Sequence, residues 1–195
     1  MKLSGSSLSN RILLLIVFVL GIYFLNFPKS YATRELHEST LVIAKRSEAI
    51  VVARCISSES KWNDEGTLIF TYITFKIEDT IDGENLDEFL TLRLIGGQVG
   101  DVVQTVIDRP EFNEDEEVVL FIGPKNKDGY QTITSLNNGA LRISTDRHSG
   151  QKFITTPVTG FTINKENTNL KASFVKEKGV LLEDFVYNLK RAINQ

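Results

Sequence analysis

A chain of 195 residues with 42% hydrophobic and 24% charged residues has the composition of an ordinary globular protein. The formal charge is −3, and the first 32 residues hold Lys2, Arg11 and Lys29 but no Asp or Glu, so the remainder carries −6. A net-negative domain without a basic run has no electrostatic footprint for phosphate backbones or anionic bilayers, which argues against nucleic-acid and membrane-surface binding. Cys55 is the single cysteine, so no intramolecular disulfide can brace the fold.

In chain order, Lys2 and Arg11 precede an apolar run from Ile12 to Phe27 that Pro28 closes. Ser30-Tyr31-Ala32 offers small residues at the two positions a signal peptidase reads. Residues 1–32 therefore read as a signal peptide cleaved after Ala32, or as an uncleaved anchor. Either outcome predicts an extracytoplasmic, periplasmic or secreted domain, touching the membrane only through this segment. No cysteine follows the run for lipid attachment, and no second apolar tail suggests a C-terminal anchor.

The rest, 33–195, reads as one domain. Thr33 to Arg46 is expected to form a short helix capped by Thr33, with Leu36, Leu41 and Ala44 near helical spacing. Ala49 to Ala53 is apolar on both faces, as a buried strand is, and Cys55 follows it as a small buried hydrophobe. Asn63 to Gly66 supplies turn chemistry, after which Ile69, Ile73, Phe75 and Ile77 recur at even spacing. These two runs predict a long hairpin.

Phe89 to Ile95 alternates and is broken by Gly96-Gly97, and Val99 to Ile107 predicts a further extended segment ending before Pro110. Glu117 to Ile122 has the unbroken apolar character of a central strand. Tyr130 to Thr134 and Ala140 to Ser144 are expected strands separated by the turn signal Asn137-Asn138-Gly139, and Phe153 to Thr155 is another. Residues 156 to 178 are weakly patterned and read as a linker. From Val180 to Ile193, Leu181, Leu182, Phe185, Val186, Leu189 and Ile193 share one face, with acidic residues early and basic residues late, which predicts an amphipathic helix closing one end of a barrel.

The run Ser60-Lys61-Trp62-Asn63-Asp64-Glu65-Gly66, followed by Ile69-Phe70-Thr71, Thr74 to Glu78 and Asp82-Gly83, resembles a recurrent pattern of uncharacterised exported bacterial β-domains. Gly96-Gly97 with Gly100-Asp101, and Glu116 to Phe121, extend the resemblance over Ser47 to Ser144. The layout is also similar to the netrin-like module, the OB-type barrel of the tissue inhibitors of metalloproteinases. That resemblance implies a mainly β fold: a small antiparallel OB-like barrel with a short N-terminal helix and a C-terminal amphipathic helix. It implies no inhibitory chemistry, because those proteins chelate zinc through an N-terminal cysteine, whereas the expected mature end here is Thr33.

No set of residues announces catalysis or a cofactor. His37, His148 and Cys55 have no zinc-ligand spacing. Asp146, His148 and Ser149 have the side-chain types of a triad but crowd into one turn. The acidic run Glu111, Glu114, Asp115, Glu116 and Glu117 matches no calcium loop and reads as a solvated loop before a strand. Gly96 to Asp101 lacks the Lys-Ser/Thr of a phosphate loop.

The expected function is a non-enzymatic binding module contacting another exported protein, an envelope protein or a secreted protease. Its candidate surface is the loop Lys61 to Gly66 with the Gly96 to Asp101 turn, represented by Trp62, Asn63, Asp64, Gly97 and Asp101. Trp62 either packs under the turn or stands exposed as a contact. The alternatives are a hydrolase assembled from scattered carboxylates and a structural envelope component.

Overall fold

A computed structural model describes residues 38–84, 86–160 and 179–195. The expected targeting segment, Thr33, Leu36, His37 and most of the 156–178 linker lie outside these residues. Among the described residues, no helix is long and apolar enough to cross a membrane. With 45% strand and 17% helix, the fold is mainly β.

Two long strands form the frame. β1 (Ala49–Trp62) pairs antiparallel with β2 (Ile69–Gly83) along its whole length, and with β6 (Glu117–Gly123) only from Ala49 to Arg54. β2 continues to β3 (Phe89–Ile95), while β6 continues through β8 (Ala140–Thr145) to β9 (Lys152–Ile154) and β10 (Val180–Leu181). β7 (Thr132–Ile133) also pairs with β6. The result among the described residues is an eight-stranded sheet that does not close into a barrel. A lone parallel bridge, Leu92 to Gln131, reaches from β3 toward β7.

Both faces of the central strands are covered, which explains their lack of a polar side. From β1 and β6, Ala49, Val51, Ala53, Cys55, Val118, Leu120 and Ile122 point into one core with Phe75, Leu92 and Phe112. Ile50, Val52, Val119 and Phe121 point the other way, into a second core with Leu141 and Ile154. Two helices line that second face: α1 (Thr40–Arg46) through Ile43 and Ala44, and α2 (Leu182–Ile193) through Phe185 and Leu189. Alternation sends neighbouring residues to opposite faces, so unbroken apolar runs are what a sheet buried on both sides needs.

Several expected details change. α1 begins at Thr40, where the Ser39 hydroxyl accepts from the Val42 N–H, so Ser39 caps the described helix. α2 lies against a sheet face rather than at a barrel end, and Val180-Leu181 pairs with β9 instead of starting the helix. The segment from Val99 to Ile107 is not one strand. Gly100 at φ 57° turns the chain between β4 (Gly97–Val99) and β5 (Val102–Gln104), and Ile107 stands 85% exposed. β7 and β8 do not pair with each other across Asn137-Asn138-Gly139. Those residues form a 3-10 turn (Leu136–Gly139), and both strands pair with β6 at different ends.

Candidate binding surface at the free end of the β1–β2 hairpin

Beyond Arg54, β1 leaves β6. Just past that ladder, the Cys55 N–H donates to the carbonyl of Glu116, the residue before β6, at 2.9 Å, and the Asp115 N–H donates to the Cys55 carbonyl at 2.9 Å. A register shift between Cys55 and Ser57 then bends the strand, and Ser57 to Trp62 runs on with β2 alone. The far half of the hairpin thus stays in the sheet through β3, which pairs with β2 from Phe70 to Lys76, while among the described residues no strand pairs with β1 on its other side.

The loop at its tip is organised by Asn63. Its Oδ1 accepts the N–H groups of Thr67 at 2.8 Å and Leu68 at 2.9 Å, its Nδ2 donates to Thr67 Oγ1 at 3.0 Å, and its own N–H donates to the Leu68 carbonyl. Asn63 thus holds the turn rather than facing outward. Asp64 is exposed. Trp62 pairs with Ile69 and is 40% exposed, and Leu68 in the loop is 39% exposed.

Hydroxyls face inward below the tip. Ser60 Oγ lies 2.9 Å from Thr71 Oγ1, which donates to the Gly96 carbonyl at 2.6 Å and accepts from Arg109 Nη1 at 3.0 Å. Gly97, at φ 141°, crosses directly over them: a Cβ there would stand 2.3 Å from Ser60 Oγ and 2.4 Å from Thr71 Oγ1. The position needs glycine for contact and for conformation alike. The Gln104 side-chain carbonyl accepts the Ile69 N–H at 2.9 Å, which ties β5 to the hairpin.

Ser60, Thr71, Gly97, Gln104 and Arg109 line a groove of about 310 Å³ with Ser58, Val103 and Phe112. Of the five sequence-expected residues, Gly97 lines it. Trp62, Asn63 and Asp64 sit on the hairpin end, and Asp101 is exposed in the β4–β5 turn. Sequence reasoning missed Ser58, Ser60 and Arg109. The two serines carry a readable signal, polar residues two apart on a strand face, but nothing in sequence brings Arg109 to Thr71.

The outer side of the hairpin is stiffened by aromatics. Arg93 of β3 lies over the Phe70 ring at 4.5 Å and the Tyr130 ring at 5.0 Å and pairs with Asp128, while Tyr72 meets Tyr130 edge-on at 5.6 Å.

Among the described residues, no three His, Cys, Asp or Glu side chains converge as a metal site. Asp146 Oδ1 accepts the N–H groups of His148 and Ser149, an arrangement that builds the turn. Glu116 pairs with Arg142 at 2.5 Å, and Glu117 with Lys152 at 2.5 Å and Arg54 at 3.4 Å. Glu78 joins Arg54 at 2.7 Å. Burial pushes the Glu78 carboxyl up, but the hydrogen bond and charge of Arg54, with Lys152, outweigh it and hold the group below its usual range. Burial, reinforced by Glu116 and Glu114, pushes the Cys55 thiol up to about 11.

A search of protein-family models, curated proteins and solved structures finds no match for this chain.

Proposed function

We propose that this chain is an exported, non-enzymatic binding module with an OB-like barrel organisation, which contacts another extracytoplasmic protein through the free end of its β1–β2 hairpin. The observation that carries the reading is the mismatch in length of two ladders. β1 pairs with β6 only to Arg54 but with β2 to Trp62, which leaves the far part of β1 as an open edge among the described residues, with a 40% exposed tryptophan at its end and a polar groove beside it. Amphipathic aromatics standing at such positions are the usual anchors of protein interfaces.

The OB-like description draws support from the spatial order β3-β2-β1-β6-β7 and from the parallel bridge between Leu92 and Gln131, where closure of such a barrel falls. The resemblance to exported β-domains supports the same reading, with residues 1–32 as the export signal or anchor. The partner is an envelope protein or a secreted protease.

The test is cross-linking of the full chain in its native envelope, with Trp62→Ala as the control. The expected result is one partner recovered with the parent chain and depleted at least fivefold with the variant. Equal recovery with both proteins, or none with either, overturns the reading.

A second reading, hydrolysis by paired carboxylates, rests on Glu48 and Glu84, which line a cavity of about 490 Å³ with Leu86 and Gln131. Loss of a glycosidase or esterase activity in Glu48→Gln and Glu84→Gln would support it.

A further inference from the structure

The side of β1 that faces away from β2 has a defined hydrogen-bonding pattern beyond Cys55. Along a strand, successive residues direct their N–H and C=O groups to opposite sides. The Asn63 N–H donates to Leu68 across the hairpin, so the odd-numbered residues Ser57, Glu59 and Lys61 face β2. Cys55, also odd, faces β6, and the register shift after it reverses the alternation. Ser58, Ser60 and Trp62 consequently aim their backbone groups away from β2. Among the described residues no strand pairs with them there, because the β6 ladder has ended and β4 pairs only with β5.

We infer that this stretch of β1, Ser58 to Trp62, is a docking edge that takes an extended segment of the partner polypeptide as an added strand. The inference rests on the binding-module reading above and names how the partner is held. Three residues exposing both backbone groups can exchange up to six hydrogen bonds with a strand of about five residues, and only a peptide backbone offers donors and acceptors at that repeat.

The groove selects the occupant further. Val103, Gln104, Arg109, Phe112 and Asn113 line the groove of about 310 Å³ together with Ser58 and Ser60 of the edge. Arg109 sits in that lining with its side chain 15% exposed. Its Nη1 donates to Thr71 and its Nη2 lies 3.6 Å from Glu111, a carboxylate that is itself 85% exposed and displaceable. A guanidinium has five N–H donors, so the fitting side chain opposite it is acidic. The occupant is an extended peptide with an Asp or Glu directed into the groove.

The experiment selects linear dodecamers from a random displayed library on the full chain, then measures affinity and amide exchange. Peptides enriched in one acidic position are expected, with exchange at Ser58 and Ser60 slowed at least tenfold in the complex. Ser60→Pro removes an outward N–H that the β2 ladder does not use, a place where an edge strand tolerates proline, and should weaken binding at least tenfold.

A peptide N-methylated at alternate residues should lose binding in one phase of methylation and not in the other, a result independent of how any variant folds. The strand mode is overturned, with the binding module intact, if a folded Ser60→Pro binds as the parent does while Trp62→Ala does not. Concentration-dependent dimers abolished by Ser60→Pro would make a second copy the occupant and overturn the inference. If no peptide is selected and no envelope protein is cross-linked, inference and reading fall together.

Discussion

Cys55 illustrates how one residue's chemistry follows from its neighbours. It lies just past the end of the β1–β6 ladder, fully buried, and its thiol is pushed up to about 11 by burial and by Glu116 and Glu114. Because the thiolate is the reactive form, the native protein should resist a thiol reagent at pH 8 and react once denatured. Rapid labelling of the folded chain would contradict that environment. Gly97 is the second such residue. Gly97→Ala forces a Cβ into the Ser60 and Thr71 hydroxyls at a backbone angle suited to glycine, and should cost about 2 kcal/mol in chemical denaturation. It should also disturb the groove, whereas an alanine at the open position Gly66 meets nothing.

Among the elements, the C-terminal helix is held chiefly by apolar contact. Phe185 and Leu189 are fully buried in the second core, so Phe185→Ala should destabilise the fold by about 3 to 5 kcal/mol, read from the denaturation midpoint. The ion pairs that link β1, β2, β6 and β9 act differently, because they depend on pH. The Glu78 carboxyl is held below its ordinary 4.5, so the folded state favours its charged form. Its contribution is complete above that ordinary value and disappears as pH falls through the lower folded one. Its side chain is 28% exposed and solvent screens the pair, so the effect is about 0.5 kcal/mol. The stability deficit of Glu78→Gln relative to the parent should be full at pH 6 and shrink as pH falls below 4.5. The opposite trend would refute the assignment.

At the scale of the whole molecule, two cores share the strands β1 and β6. A substitution in either core should therefore shift one common transition. Val118→Ala faces the first core and Val119→Ala the second, and each should lower stability by about 1 to 2 kcal/mol without splitting the unfolding curve. Coincident curves from circular dichroism and Cys55 accessibility would support this. A transition in Val119→Ala that releases the helices before Cys55 becomes reactive would show separable halves.

What the sequence determined by itself was local. The turn residues Asn63 to Gly66 between two β-rich runs marked the long hairpin, the unbroken run Val118 to Ile122 marked a strand covered on both sides, and the spacing of Phe185 and Leu189 marked an apolar helix face. These signals depend on side-chain period and turn chemistry, which neighbouring residues carry. The tertiary structure decided what faces what. It set α1 and α2 on one face of the sheet, gave both β7 and β8 to β6, folded Gly97–Gln104 into its own hairpin and carried Arg109 to Thr71. Above all, it ended the β6 ladder at Arg54 while pairing with β2 ran on to Trp62, and an edge without a strand partner among the described residues depends on neighbours that no residue's own pattern encodes.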